Sequence, residues 1–190
     1  MKAIPNEAQE PAADDDHRQK ERTMNGQDFT TTFTVDNTPE EVFAAITDVR
    51  GWWSQEIVGE TAELGDVFQF EVAGVHRTTQ TLTEVVPGEK VVWHVTDGWI
   101  GFVDNTSEWD DTDIVFDITV EDGKTVVRFT HVGLSPSVEC YDACSSAWSA
   151  YMLGSLRDLI TTGKGDPHRA DGDFDSETAK HEAVDKSAAV

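Results

Sequence analysis

Both cysteines of this 190-residue chain fall in one stretch, ECYDACSSAW, as Cys140 and Cys144. Thiols so spaced bear on three chemistries: metal ligation, redox pairing and nucleophilic attack. A structural zinc wants four ligands, and only His131 stands nearby as a third. A disulfide across one turn of a regular helix has badly directed Cβ vectors. A nucleophilic thiolate needs a neighbouring cation, whereas the adjacent charges are Glu139 and Asp142. The pattern therefore fits two small apolar side chains on one buried helical face, and no metal or other cofactor is expected.

The remaining chemical candidates are histidines and charged clusters. His131 shares a strand face with Val127 and Phe129, so it can point inward, where burial favours the neutral ring. The pair His76–Arg77 opens another strand, and an arginine there could grip a ligand carboxylate. His94 alternates with Trp93 and faces the other way. The stretch TGKGDP lacks the upstream glycine and the following Ser/Thr of a phosphate-binding loop. Asp110, Asp111 and Asp113 lack the glycine and distal glutamate of a calcium loop. General acid–base work would need Asp117 or Glu71 beside a histidine, and the alternation puts both acids on an outer face. No catalytic residue is assigned.

These side chains must be carried by a single folded unit. Residues 1–27 and 166–190 are polar and lack periodic apolar spacing, which predicts flexible segments flanking a domain over 28–165. Within it, Phe29, Phe33 and Val35 mark a strand. The stretch NTPEEVFAAI predicts a short helix with Thr38 as N-cap, Pro39 in its first turn and Glu41 closing a capping box. A break at Gly51 introduces Trp52–Trp53, too bulky for both to point inward, so one is expected at a rim. Further strands follow: Phe68, Phe70 and Val72; a threonine-rich run ending at Val86; Val91, Trp93 and Val95; Ile114, Phe116, Ile118 and Val120; and Val127, Phe129 and His131. Asp122–Gly123 is a hairpin turn. A long helix from about Pro136 to Thr162, closed by Gly163, buries Cys140, Cys144, Trp148, Tyr151 and Met152. Segregated strands and helices predict an α+β fold, an antiparallel sheet curled around the last helix.

Charge narrows the partners. The chain carries 37 acidic and 14 basic residues, net −23, and residues 28–165 alone hold 24 acidic against 7 basic. Such a surface repels nucleic acid and anionic lipid. Abundant aspartate and scarce lysine also fit adaptation to high salt, where screening relieves self-repulsion. No stretch has the length of a membrane span, and the first residues lack a secretion signal, so a cytoplasmic location is expected.

The segments TPEEVFAAITDVRGWWS, LGDVFQFEV, VVPGEKVVWHV, TDIVFDITVEDGKTVVRFTHVGL and ECYDACSSAWSAYMLGSLRDLITTGKGDP resemble, in order and spacing, the START-like (SRPBCC) superfamily. The likeness is specifically to its branch named after the activator of heat-shock-protein-90 ATPase. It spans about residues 28–167. The resemblance implies a helix-grip fold, a curved antiparallel sheet around a C-terminal helix with an apolar pocket between them. The eukaryotic co-chaperone has an additional N-terminal domain that this chain is not expected to carry, which argues against chaperone stimulation.

The function expected is binding of a small apolar or aromatic ligand between sheet and helix. The wall would come from Trp53, Phe68, Phe70, Trp93, Phe116, Phe129, Trp148, Tyr151 and Met152, with Arg77 and His131 as polar anchors. The alternatives are a polyketide cyclase- or hydrolase-like enzyme in the same pocket, as some superfamily relatives imply, and a protein-interaction module. Residues 97–113, with Trp99, Ile100, Phe102 and Trp109, are long for a hairpin connection and could serve as a lid or docking surface. The oligomeric state is open.

Overall fold

The computed structural model describes residues 27–170. The flexible segments expected at 1–27 and 166–190 therefore lie outside the described residues, apart from Gln27 and residues 166–170. Seven strands form one antiparallel sheet: β1 (Phe29–Val35), β2 (Val58–Gly59), β3 (Val67–Val72), β4 (His76–Val86), β5 (Lys90–Ile100), β6 (Asp113–Glu121) and β7 (Lys124–Val132). Their spatial order is β1-β7-β6-β5-β4-β3-β2, leaving β1 and β2 as open edges. Register shifts between β4 and β5, at Thr79/Gln80 and Leu82/Glu84, bend the long central pair, as bulges do. The β6–β7 turn is made by Asp122 and Gly123 at φ 49° and 77°. That left-handed pair matches the twist of the flanking strands.

The helices cover the concave face. α1 (Pro39–Thr47) starts with the predicted capping box: Glu41 N–H donates to Thr38 Oγ1, and Thr38 N–H to the Glu41 carboxylate. α2 (Val49–Trp52) runs through Gly51 rather than breaking there. The C-terminal helix is α3 (Tyr141–Ala150), a π-helical turn (Tyr151–Leu156) and α4 (Arg157–Thr162), closed by Gly163 at φ 77°. It begins five residues later than the proline suggests. Its first turn is held by a distant group: the Glu108 carboxylate accepts from Glu139 N–H at 2.6 Å and Cys140 N–H at 2.8 Å.

Three other expectations change. Trp52 and Trp53 are both buried, because the end of α2 turns one indole after the other onto Trp93, with ring centroids at 6.1 and 5.8 Å. Val120 lies beyond the covered part of β6 and is 61% exposed. The folded unit also runs past Gly165. Pro167 is buried, and His168 exchanges backbone hydrogen bonds with Trp53 and Gln55, beside Ser54. The α+β class holds, with one core between sheet and helices.

Candidate functional site

The site grows from the inner row of β4. His76, Thr78, Gln80 and Leu82 alternate inward, while Arg77, Thr79 and Thr81 face out. Thr78 and Gln80 are 0% exposed, an unusual place for such side chains. Gln80 donates its amide N–H to Thr78 Oγ1 at 2.5 Å. Its carbonyl Oε1, however, meets nothing, and neither do Trp93 Nε1 and His76 Nε2, while Trp109 Nε1 has only the weakly accepting Cys144 sulfur against it. Three buried polar atoms without partners, and a fourth with only a weak one, thus lie between sheet and helix.

A second, fully satisfied chain of hydrogen bonds runs beside them. Trp148 Nε1–H on α3 donates to His131 Nδ1 on β7 at 3.0 Å. That fixes the neutral tautomer: the proton sits on Nε2, which donates to Thr112 Oγ1 at 3.0 Å. The Thr112 hydroxyl donates in turn to the Trp109 carbonyl at 2.6 Å. Burial, with His76 nearby, pushes the His131 pKa down to about 3. Burial also lowers His76 to about 4, its Nε2 being shut from solvent although the residue as a whole is only half-buried. Both rings are neutral near pH 7. Among the described residues no carboxylate hydrogen-bonds to either. The arrangement can read shape and accept or donate hydrogen bonds; it does not assemble a general acid–base pair.

The two thiols touch. The neighbouring Cys140 thiol and burial drive the Cys144 pKa upward, so the Cys144 thiol stays protonated and inert. They pack as the small buried side chains the helical spacing suggests. Among the described residues no group of three His, Cys, Asp or Glu side chains is placed to hold a metal.

Of the eleven residues expected to line a pocket, nine come together. Trp53, Phe68, Phe70, Trp93, Phe116, Phe129, His131, Trp148 and Met152 are each at most 4% exposed. Their rings pack on one another, for instance Trp53 on Phe70 at 4.5 Å and Phe129 on Trp148 at 4.8 Å. Surface that low leaves almost no room for water against these nine, so the open hollow expected between sheet and helix is closed beside them. Tyr151 is half-buried at the edge of the cluster, 6.4 Å from Trp148. Arg77 stands apart on the outer face, paired with Asp97 at 3.5 Å. A separate groove of about 480 Å³ at the β2–β3 edge is lined by residues including Glu56, Gln69, Glu71 and His168, and contains none of the eleven.

The connection between β5 and β6 supplies what the sequence left out. Residues 101–112 fold down so that Trp109 is 4% exposed. Its indole lies between two imidazole edges, His76 at 4.4 Å and His131 at 4.5 Å, and stacks over Trp148 at 5.9 Å. Gly98 makes room beneath it, since a Cβ there would stand 3.1 Å from Trp109 Cβ. Buried Thr78, Gln80 and Thr112 had only one signal in the sequence, their place in alternation with outward residues.

No match exists among curated proteins. Solved structures do match. An Aha1 dimer from Colwellia psychrerythraea superposes with TM-score 0.59 at 25% identity, over 73% of this chain and 99% of that one. Protein SSP2350 from Staphylococcus saprophyticus gives 0.51 at 18%, over 74% and 96%. CalU16 from Micromonospora echinospora gives 0.50 at 14%, over 83% and 85%. The last two speak for the fold alone. The profile of the Activator of Hsp90 ATPase homolog 1-like protein family matches residues 36–161. That span takes in β2 through β7 and the helices on both sides of them. With the curved, unclosed sheet around its C-terminal helix, it makes this chain a member of the Activator of Hsp90 ATPase homolog 1-like family, a START-like branch with the helix-grip fold.

Proposed function

We propose that the protein binds a small apolar or aromatic molecule between the sheet and the C-terminal helix, without chemistry of its own. One observation carries this: the unmet polar atoms of Gln80, Trp93 and His76, with the poorly met Trp109 N–H, inside an otherwise aromatic layer. Leaving such an atom buried and unmet costs roughly 1–3 kcal/mol. A layer serving only as core would favour apolar side chains at those positions. Apolar walls with a few polar anchors are what ligand sites look like. Because the layer is closed at rest, a guest is admitted by an opened form. Tyr151 and Met152, in the π-helical turn, border it, and such turns recur at functional sites.

The thiols of Cys140 and Cys144 suit a reducing cytoplasm. No described helix is long and apolar enough to cross a membrane, and the acidic surface argues against nucleic acid and lipid as partners. For chaperone contact, the family resemblance is the support; nothing in the site geometry adds to it. The cyclase-like alternative needs an acid beside an inward histidine. Asp117 instead lies opposite Lys90 and Arg128 in the sheet register.

The test is native mass spectrometry of protein purified from its own host, with a thermal-shift panel of apolar and aromatic compounds. A co-purifying mass or a concentration-dependent rise in Tm is expected. Absence of both across the panel at millimolar concentration removes the proposal.

A further inference from the structure

Resting on that function, we infer that Trp109 is a built-in occupant of the binding slot, standing in for a flat, hydroxyl-bearing bicyclic aromatic molecule that displaces it. The slot's dimensions are those of the ring now in it: an indole held edge-on by two imidazoles and face-on by Trp148. The fit in shape is good and the fit in polarity is poor. The Trp109 N–H has no proper acceptor, only the weakly accepting Cys144 sulfur against it, and His76 Nε2 is left unmet. A ring hydroxyl can both donate and accept, so it satisfies His76 in either tautomer. The resident side chain therefore fills the space while leaving a polar demand that a guest can meet.

The segment carrying Trp109 is fastened in a way that allows release. Glu108 accepts from the backbone of Glu139 and Cys140, and Glu139 returns the contact by accepting from Asp104 N–H at 2.8 Å. This reciprocal clasp ties residues 101–112 to the start of α3. It is exposed at Glu139 and Asp104 and half-buried at Glu108, so water can reach its outer bonds when the segment lifts. Phe102, on the same segment, is already 52% exposed.

The experiment titrates the full chain with 2-naphthol and with naphthalene, following affinity by calorimetry and backbone amide exchange by NMR. In the intact protein, 2-naphthol should bind and speed exchange at Asp104, Glu139 and Cys140, the three amides the clasp protects. Glu108→Ala should tighten 2-naphthol binding about fivefold, because apparent affinity scales with the fraction of open protein. His76→Phe should weaken 2-naphthol about tenfold, the worth of one hydrogen bond, with naphthalene unchanged. Binding that leaves those amides protected, or that is indifferent to Glu108→Ala, overturns the displacement of Trp109 while the binding function stands. Equal affinity for both probes overturns the hydroxyl requirement. Should neither probe bind any form of the chain, this inference fails, and the thermal-shift panel decides separately whether the binding function falls with it.

Discussion

Replacing His131 by leucine strands the Trp148 indole N–H, which loses its acceptor, whereas the Thr112 hydroxyl loses one contact and keeps its bond to the Trp109 carbonyl. With that indole N–H left buried and unmet, the loss should be about 1–3 kcal/mol in urea denaturation. A loss under 1 kcal/mol would mean water reaches the gap. The same ring and His76 set the acid limb of stability. Their ordinary pKa is 6.5, and in the folded protein they resist protonation down to about 3 and about 4. Between those values the unfolded chain holds more protons, so stability is fully present above pH 6.5 and declines as pH falls. Each ring contributes a slope of about 1.4 kcal/mol per pH unit. His76→Phe should flatten the decline between pH 6.5 and 4.5 by that amount. An unchanged slope would show that His76 takes up its proton in the folded state.

Helix and strand geometry make their own demand on sequence. Gly154 sits in the π-helical turn with nothing within 4 Å of where a Cβ would go. Gly154→Ala should therefore stabilise the chain by about 0.5–1 kcal/mol through lower backbone entropy in the unfolded state. Destabilisation instead would show that the wide turn depends on glycine. Strands were legible because each buries one face: Val91, Trp93 and Val95, or Val127, Phe129 and His131, announce an inward side by alternation alone. The row His76–Thr78–Gln80 was not, since polarity ordinarily signals solvent and here it marks the interior. The start of the C-terminal helix was missed for a related reason. Its cap is Glu108, some thirty residues upstream, and local capping patterns carry no trace of a partner brought by the fold. The pair Trp52–Trp53 misled because alternation applies to a strand, whereas a helix end can turn neighbouring side chains the same way. Nine of the eleven ligand candidates lie together, but whether such a group encloses space or fills it depends on Trp109, which arrives from a connection with no periodicity of its own.

Across the whole molecule, charge is the dominant surface feature. Over residues 28–165 the acids outnumber the bases 24 to 7. The lysine and arginine ion pairs seen, Arg77–Asp97, Lys90–Glu84 and Lys124–Asp36, lie at the surface. Pairs of that kind contribute little, so net repulsion should govern the response to salt. Raising NaCl from about 0.1 to 1 M shortens the Debye length from about 10 to 3 Å and should raise the urea midpoint; a fall would mean the pairs outweigh the repulsion. Binding of apolar guests, by contrast, should respond to salt only weakly. The chain's last described stretch has a different bearing. Because the peptide around His168 is stitched to the backbone of Trp53 and Gln55, and Asp166 N–H to Ser155 Oγ, the C-terminal end and the tryptophan stack are one mechanical unit. A pull applied at Ala170, the last described residue, would be carried by that stitch into the indoles behind it.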